Sequence, residues 1–378
     1  MIMKILVTGG AGYIGSHTVR FLQEKGYEVV VYDNLSTGHK WAVQNCKLVI
    51  GDLIDTKRLE SVFDNHQVDA VVHFAASSLV WESVSNPAKY YENNVVGSKR
   101  LFDTMIAKGV HKLVFSSTCA TYGLPETGPI TEQEKQYPIN SYGWTKFMIE
   151  RIMQDYGQAY GLNSIALRYF NAAGSAYEEG LGEAHNPESH VIPLLLETIT
   201  GKRQVFSLFG QDYDTPDGSC IRDYVHVKDL ASAHVMALER LIGIHSLSEG
   251  ATEQQQAGKS ANQGCDQIPQ PIARKISEQI GEQKGFDCFN LGTGEGVSVL
   301  ELISTVEKVT GKKVPVNVCE RRAGDPPVLV ADNSKAVHVL GWKPMYSDIK
   351  NIVQSAYKWE MMKAFCTGDT SHIGNRIL

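Results

Sequence analysis

Short apolar runs punctuate the first half of this chain. Lys4–Thr8, Glu28–Tyr32, Lys47–Ile50, Asp69–Phe74, Lys112–Ser117 and Ser164–Arg168 are dominated by Val, Ile, Leu and Phe with little polar alternation. Such runs read as strands buried on both faces, as in a parallel sheet with helices on either side. The stretches between them are long enough for right-handed crossovers. The pattern predicts a doubly wound, mostly parallel α/β architecture.

After about Ser175 the pattern loosens. Gly, Pro and acidic loops appear at Glu178–Pro187 and Gly210–Gly218, and α/β character returns at Asp223–Leu238 and Phe286–Leu291. We therefore expect one main domain over 1–175, with returns near 222–240 and 286–292. A smaller interleaved lobe should occupy most of 176–360, with a tail at 361–378. The polar, Gln-rich tract 241–285 buries little surface and reads as a surface insertion. Within it, Ile272, Ile276 and Ile280 share a face and predict a short amphipathic helix.

Composition narrows the function. Apolar residues make up 43% and charged residues 21%, enough for a substantial core. A net charge of −6 with no basic stripe argues against nucleic-acid binding. The seven cysteines follow no C-x-x-C or zinc-like spacing, so a reducing cytoplasm is expected and no metal. Met1–Lys4 leads straight into a strand, and no apolar run approaches the roughly 20 residues of a membrane span.

The first strand runs into Thr8-Gly9-Gly10-Ala11-Gly12-Tyr13-Ile14-Gly15. In Gly9-x-x-Gly12-x-x-Gly15 the glycines permit a tight turn, backbone approach to a pyrophosphate, and close packing of the next helix, Tyr13–Lys25. The helix N-terminus then offers free N–H groups to an anion. Asp33 ends the second strand, where a carboxylate accepts hydrogen bonds from a ribose diol and repels a 2′-phosphate. NAD is therefore expected over NADP. Asp52-Leu53, after the third strand, either flanks the adenine or caps the next helix.

Tyr142 and Lys146 share a helix face. A free phenol, with a pKa near ~10, is a poor base at neutral pH, and a neighbouring ammonium lowers it into a useful range. Ser116-Ser117-Thr118, ending the fifth strand, brings a hydroxyl to the same sheet edge.

These stretches resemble the extended short-chain dehydrogenase/reductase family, and within it the 4-epimerases of UDP-hexoses. Further support comes from His73–Ala76, Tyr91–Val95, Ser116–Gly123, Leu167–Asn171, Arg222–Val227, Asn290–Gly292 and Arg321–Asp325. The resemblance spans nearly the whole chain outside 241–285. It implies a Rossmann-type domain, a homodimer, and NAD-dependent interconversion of UDP-galactose and UDP-glucose through a 4-keto sugar. It makes Tyr142 the acid/base, Lys146 its partner and Thr118 a hydroxyl near the sugar O4. Gly9, Gly12, Tyr13, Ile14, Gly15, Asp33, Asn34, Leu35, Ser36, Asp52, Leu53, Phe74, Ala75, Ala76, Asn93 and Phe170 would line the NAD site. Asn171, His190, Val191, Ser207, Phe209, Arg222, Arg322, Asp325 and Leu329 would hold the UDP-sugar, the arginines on pyrophosphate and Asp325 on a ribose.

Two departures matter. Ser78 stands where some relatives have a lysine near the cofactor. Leu329, intermediate in size, occupies the wall thought to set sugar size, which leaves N-acetylated sugars open. A 4,6-dehydratase needs an Asp-Glu pair after the threonine; here Thr118 is followed by Cys119-Ala120-Thr121. A non-catalytic NAD-binding protein would have no need of Tyr142 and Lys146.

Overall fold

In the computed structural model, which describes residues 2–125, 128–243, 285–322 and 324–367, seven strands form one sheet. In chain order they are β1 (Lys4–Thr8), β2 (Glu28–Asp33), β3 (Lys47–Ile50), β4 (Ala70–His73), β5 (Lys112–Thr118), β6 (Asn163–Tyr169) and, much later, β11 (Phe286–Leu291). Their spatial order is β11-β6-β5-β4-β1-β2-β3, with every neighbouring pair parallel. The order reverses between β1 and β4, which opens a crevice at the carboxyl ends of those strands.

Strand boundaries shift slightly from the sequence reading for a reason visible in the ladders. Asp33 still pairs with Ile50, and Thr118 with Tyr169, so β2 and β5 run one residue further and carry a polar side chain to the sheet edge. Successive residues alternate between two cores. Ile5 and Val7 join Val31 and Val72 against α1 (Tyr13–Glu24) and α8 (Val227–Leu241). Leu6, Val30 and Val71 face α2 (Thr56–His66), α5 (Gly97–Ala107) and α6 (Ser141–Tyr160).

The short α3 (Val80–Ser85) and α4 (Pro87–Tyr90) lead through a π-helical turn, Tyr91–Val96, into α5. Beyond β6 the chain passes between sheet and lobe. β7 (Asn171–Ala173) pairs with β10 (Tyr224–His226), and β8 (Phe206–Phe209) with β13 (Val316–Cys319). The two-residue strands β9 (Ile221–Arg222), β12 (Val297–Ser298) and β14 (Val328–Leu329) form a small sheet. A third core gathers Leu195, Leu302, Val306 and Ile352 from α7 (Val191–Thr200), α9 (Val299–Thr310) and α10 (Ile349–Thr367). The amphipathic helix expected around Ile272, Ile276 and Ile280 lies outside the described residues.

Candidate active site

The glycine turn is built by close approach. Gly9 has φ +72°, and a Cβ there would sit 2.4 Å from Ala75 N. A Cβ on Gly15 would meet Gly9 O at 2.3 Å, so α1 can seat only with glycine at this position. Gly12 differs: its Cβ would meet nothing nearer than Gly9 O at 3.3 Å. The protein leaves that side of the turn open. No side chain caps α1 and no acidic residue lies in its first turn, so the N–H groups at Tyr13, Ile14 and Gly15 are not taken up by a cap of the helix's own.

Asp33 is buried beside this turn. Its oxygens accept from Ala11 N (3.0 Å) and Leu35 N (2.8 Å), and burial raises its pKa against those hydrogen bonds. Asn34 Nδ2 donates to Asp52 Oδ2 (2.8 Å) and Ser36 N to Asn34 Oδ1 (2.9 Å), which joins the loops after β2 and β3. Asp52 Oδ1 accepts from Ile54 N, ahead of α2, whose cap is Asp55. Asp52 thus organises loops and does not cap the helix. Leu53 is buried in the core on that side. Phe74 N and Ala75 N donate to Thr8 O, laying Phe74–Ala76 against the glycine turn. The fit to a dinucleotide therefore rests on an open cradle, an uncapped helix start and a carboxylate at the end of β2, and these residues fit NAD.

Across the crevice stands α6. Asn140 caps it by accepting from Gly143 N (2.8 Å). Gly143 lets the helix start close in: a Cβ there would lie 2.6 Å from Ala120 O. That approach brings Tyr142 beside Thr118, whose hydroxyl favours the ionised phenol. Lys146, 2% exposed, donates to Ser116 O (2.8 Å) and lies 4.7 Å from the Phe115 ring centroid and 5.9 Å from that of Tyr142.

The electrostatics of the protein alone run opposite to the expected pairing. Burial drives the Tyr142 phenol upward, with Tyr169 adding to it and the Thr118 hydroxyl opposing. Burial also brings Lys146 down to about 7, with Glu150 opposing. Desolvation outweighs the attraction because both groups sit in the same dry crevice and Lys146 spends a donor on Ser116.

Further polar groups brace the site, and sequence reasoning missed them. Glu150, one turn past Lys146, pairs with Arg168 on β6 (2.6 Å) and accepts from Ser117 Oγ (2.5 Å), with both ionised side chains almost wholly buried. The partner of this helical carboxylate comes from a strand of the sheet and not from its own helix. Asn94, in the π-helical turn, accepts from Ser77 N and donates to Thr145 Oγ1 (3.0 Å). Asn93, the residue the resemblance singles out, donates to Asn94 Oδ1 (2.9 Å).

The residues expected on the sugar-nucleotide side come from several elements. Ser207 and Phe209 alternate on β8 with the buried Phe206 and Leu208. Arg322 stacks over Phe209 at 3.9 Å. Arg222 pairs with Asp325, and β14 sets Leu329 beside Arg222. Leu329 also packs on the cluster of Cys119, Tyr122, Ile130, Phe170 and Ala331, next to Thr118. Asn171 follows Phe170 and opens β7. His190 and Val191 stand at the start of α7, where His190 contacts Glu183. In the protein alone Arg222 and Asp325 thus satisfy each other.

A glycine cradle thus lies at a switch point of the sheet and faces a buried Tyr-Lys-Thr group. Residues 5–245 match the model of the NAD dependent epimerase/dehydratase family. The chain is 46% identical over 356 residues to a UDP-glucose 4-epimerase of Rhizobium meliloti (strain 1021), covering 94% of this chain and 96% of that one. The fold is similar to a crystal structure of UDP-glucose 4-epimerase from Brucella ovis in complex with NAD (TM-score 0.81, 44% identity, 94% of this chain and 97% of that one). It is also similar to the enzyme from Bifidobacterium longum in complex with NAD+ and UDP (TM-score 0.79, 34% identity, 95% and 98%). The chain belongs to the NAD dependent epimerase/dehydratase family.

Proposed function

We propose that this protein is an isomerase that interconverts UDP-galactose and UDP-glucose at C4, using NAD as a bound cofactor. The observation that carries the reading is the meeting of Thr118, Tyr142 and Lys146 with the glycine cradle at one sheet edge, backed by relatives named for this activity.

NAD would be held by Gly9–Gly15, Asp33, the Asn34–Ser36 and Asp52-Leu53 loops, Phe74–Ala76, Asn93, Lys146 and Phe170. When bound it accepts and returns the C4 hydride. Tyr142 takes the O4 proton as the sugar is oxidised and gives it back to the turned 4-keto sugar. Thr118 hydrogen-bonds at O4, and Lys146 supplies positive charge beside the phenol. Arg222, Arg322 and Asp325 would part from their present neighbours to hold the UDP end, with Asn171, His190, Val191, Ser207 and Phe209. Because the nucleotide stays anchored, the sugar can rotate without leaving. Leu329 forms the wall beside the sugar.

The protein is incubated with UDP-galactose without added NAD, and the products are separated by chromatography. UDP-glucose is expected; no conversion even with NAD supplied would overturn the reading. A parallel incubation with UDP-N-acetylgalactosamine reads the room left by Leu329.

We also place the enzyme in the cytoplasm as a homodimer. The cysteines among the described residues are free, and α6 leaves Met148 and Tyr160 exposed, apolar area that a second copy would cover. No described helix is long and apolar enough to cross a membrane. Sedimentation analysis reads the dimer.

A further inference from the structure

A separate constellation lies in the loop that leads into α7. Glu183, His185, Glu188 and His190 each bring one oxygen or nitrogen to within 4.8 Å of the others. The carboxylates point inward, 5% and 6% exposed, while the imidazoles close the outer side at 26% and 47%. His185 Nδ1 stands 3.0 Å from Glu183 Oε1 and 3.7 Å from Glu188 Oε1, and His190 Nδ1 contacts the same Glu183 oxygen. The two imidazole rings are perpendicular, with centroids 5.2 Å apart, so their nitrogens converge without stacking.

We propose that these four side chains bind one divalent transition-metal cation, with zinc the favoured ion. Zinc takes nitrogen and oxygen donors at ~2.0–2.2 Å in a tetrahedron, which sets donor atoms roughly 3.3 Å apart. The two His185 separations, 3.0 and 3.7 Å, bracket that value, while His190 and Glu183, in direct hydrogen-bond contact, would part to admit the ion between them. Two carboxylates neutralise a dication, and two imidazoles disfavour magnesium and calcium, which prefer oxygen alone.

The surroundings hold the ligands in place. Glu188 Oε1 accepts from Ser189 N (2.8 Å) and His190 N (3.0 Å). Glu183 O accepts from the Trp359 indole (2.7 Å), and His39 Nε2 lies 2.8 Å from Ala184 O. The Tyr13 ring meets His185 edge-on at 6.2 Å, which ties the cluster to the glycine turn. Such outer contacts fix ligand orientation. An ion on His190 Nδ1 fixes the proton on Nε2 and makes that ring a constant donor at the start of α7. Only this last consequence rests on the sugar-nucleotide reading; the ion site does not.

The test uses the full-length protein, dialysed against a chelator and titrated with Zn²⁺ alone by calorimetry and by competition with a chromophoric chelator. Co²⁺ is added in parallel to read coordination from its visible bands. One tight equivalent and a four-coordinate cobalt spectrum are expected. His185→Gln and Glu188→Gln should each weaken uptake at least about tenfold, with circular dichroism and retained NAD showing an intact fold. Absence of a stoichiometric event, or uptake untouched by both substitutions, overturns the site. Neither readout depends on epimerase activity.

Discussion

Tyr142 has to surrender a proton where burial discourages charge. Removing its hydroxyl tests the role directly: Tyr142→Phe should cost ~10²–10⁴ in kcat, the usual worth of a positioned acid or base, while NAD released on denaturation stays unchanged. Gly143, between the two reactive residues, was legible only as a spacer. The structure makes it a positioning residue, because a methyl there meets Ala120 O. Gly143→Ala should push the start of α6 outward and lower kcat by roughly 10²-fold, the cost of an ångström of misplacement. Far-UV circular dichroism should stay the same. Tyr142 and Lys146 could be read from spacing because helical periodicity sets which residues share a face. Gly143 could not, since its neighbour Ala120 is contributed by a different element.

At the scale of elements, α6 is pinned to the sheet through Glu150 and Arg168. Arg168→Met leaves the Glu150 charge buried and unpaired, for a loss of about 3–5 kcal/mol in urea unfolding. Combining it with Glu150→Leu should recover much of that loss, as expected when both charges leave a dry core. The main strands were legible because each is a short apolar run, most of them closed by Gly, Asp or Ser. The pairing of Arg222 with Asp325 and the four-residue Glu/His cluster were not, since they depend on loops whose paths no periodicity fixes.

For the molecule as a whole, buried histidines set the acid limb of stability. Burial lowers His73 to about 3, with Lys146 adding to the effect, and lowers His234 to about 4 against a backbone hydrogen bond. The unfolded chain therefore binds protons first. Their contribution is complete above an imidazole's ordinary pKa of about 6.5 and drains away as pH falls toward 3–4. Urea midpoints should fall from pH 7 to pH 4, and His234→Phe should flatten that slope.

The last strand of the large sheet also decides when the protein can finish folding. Strand β11 closes the side of β6 from Ser164 to Tyr169, yet it is made only after α8 and the tract that follows it. A growing chain can assemble β1 to β6 and must then wait with one open, apolar edge. That edge is a template for pairing with another chain during synthesis. The protein is thus most exposed to aggregation between emergence of β6 and arrival of Phe286, and a chain truncated before β11 should be recovered mainly in aggregates.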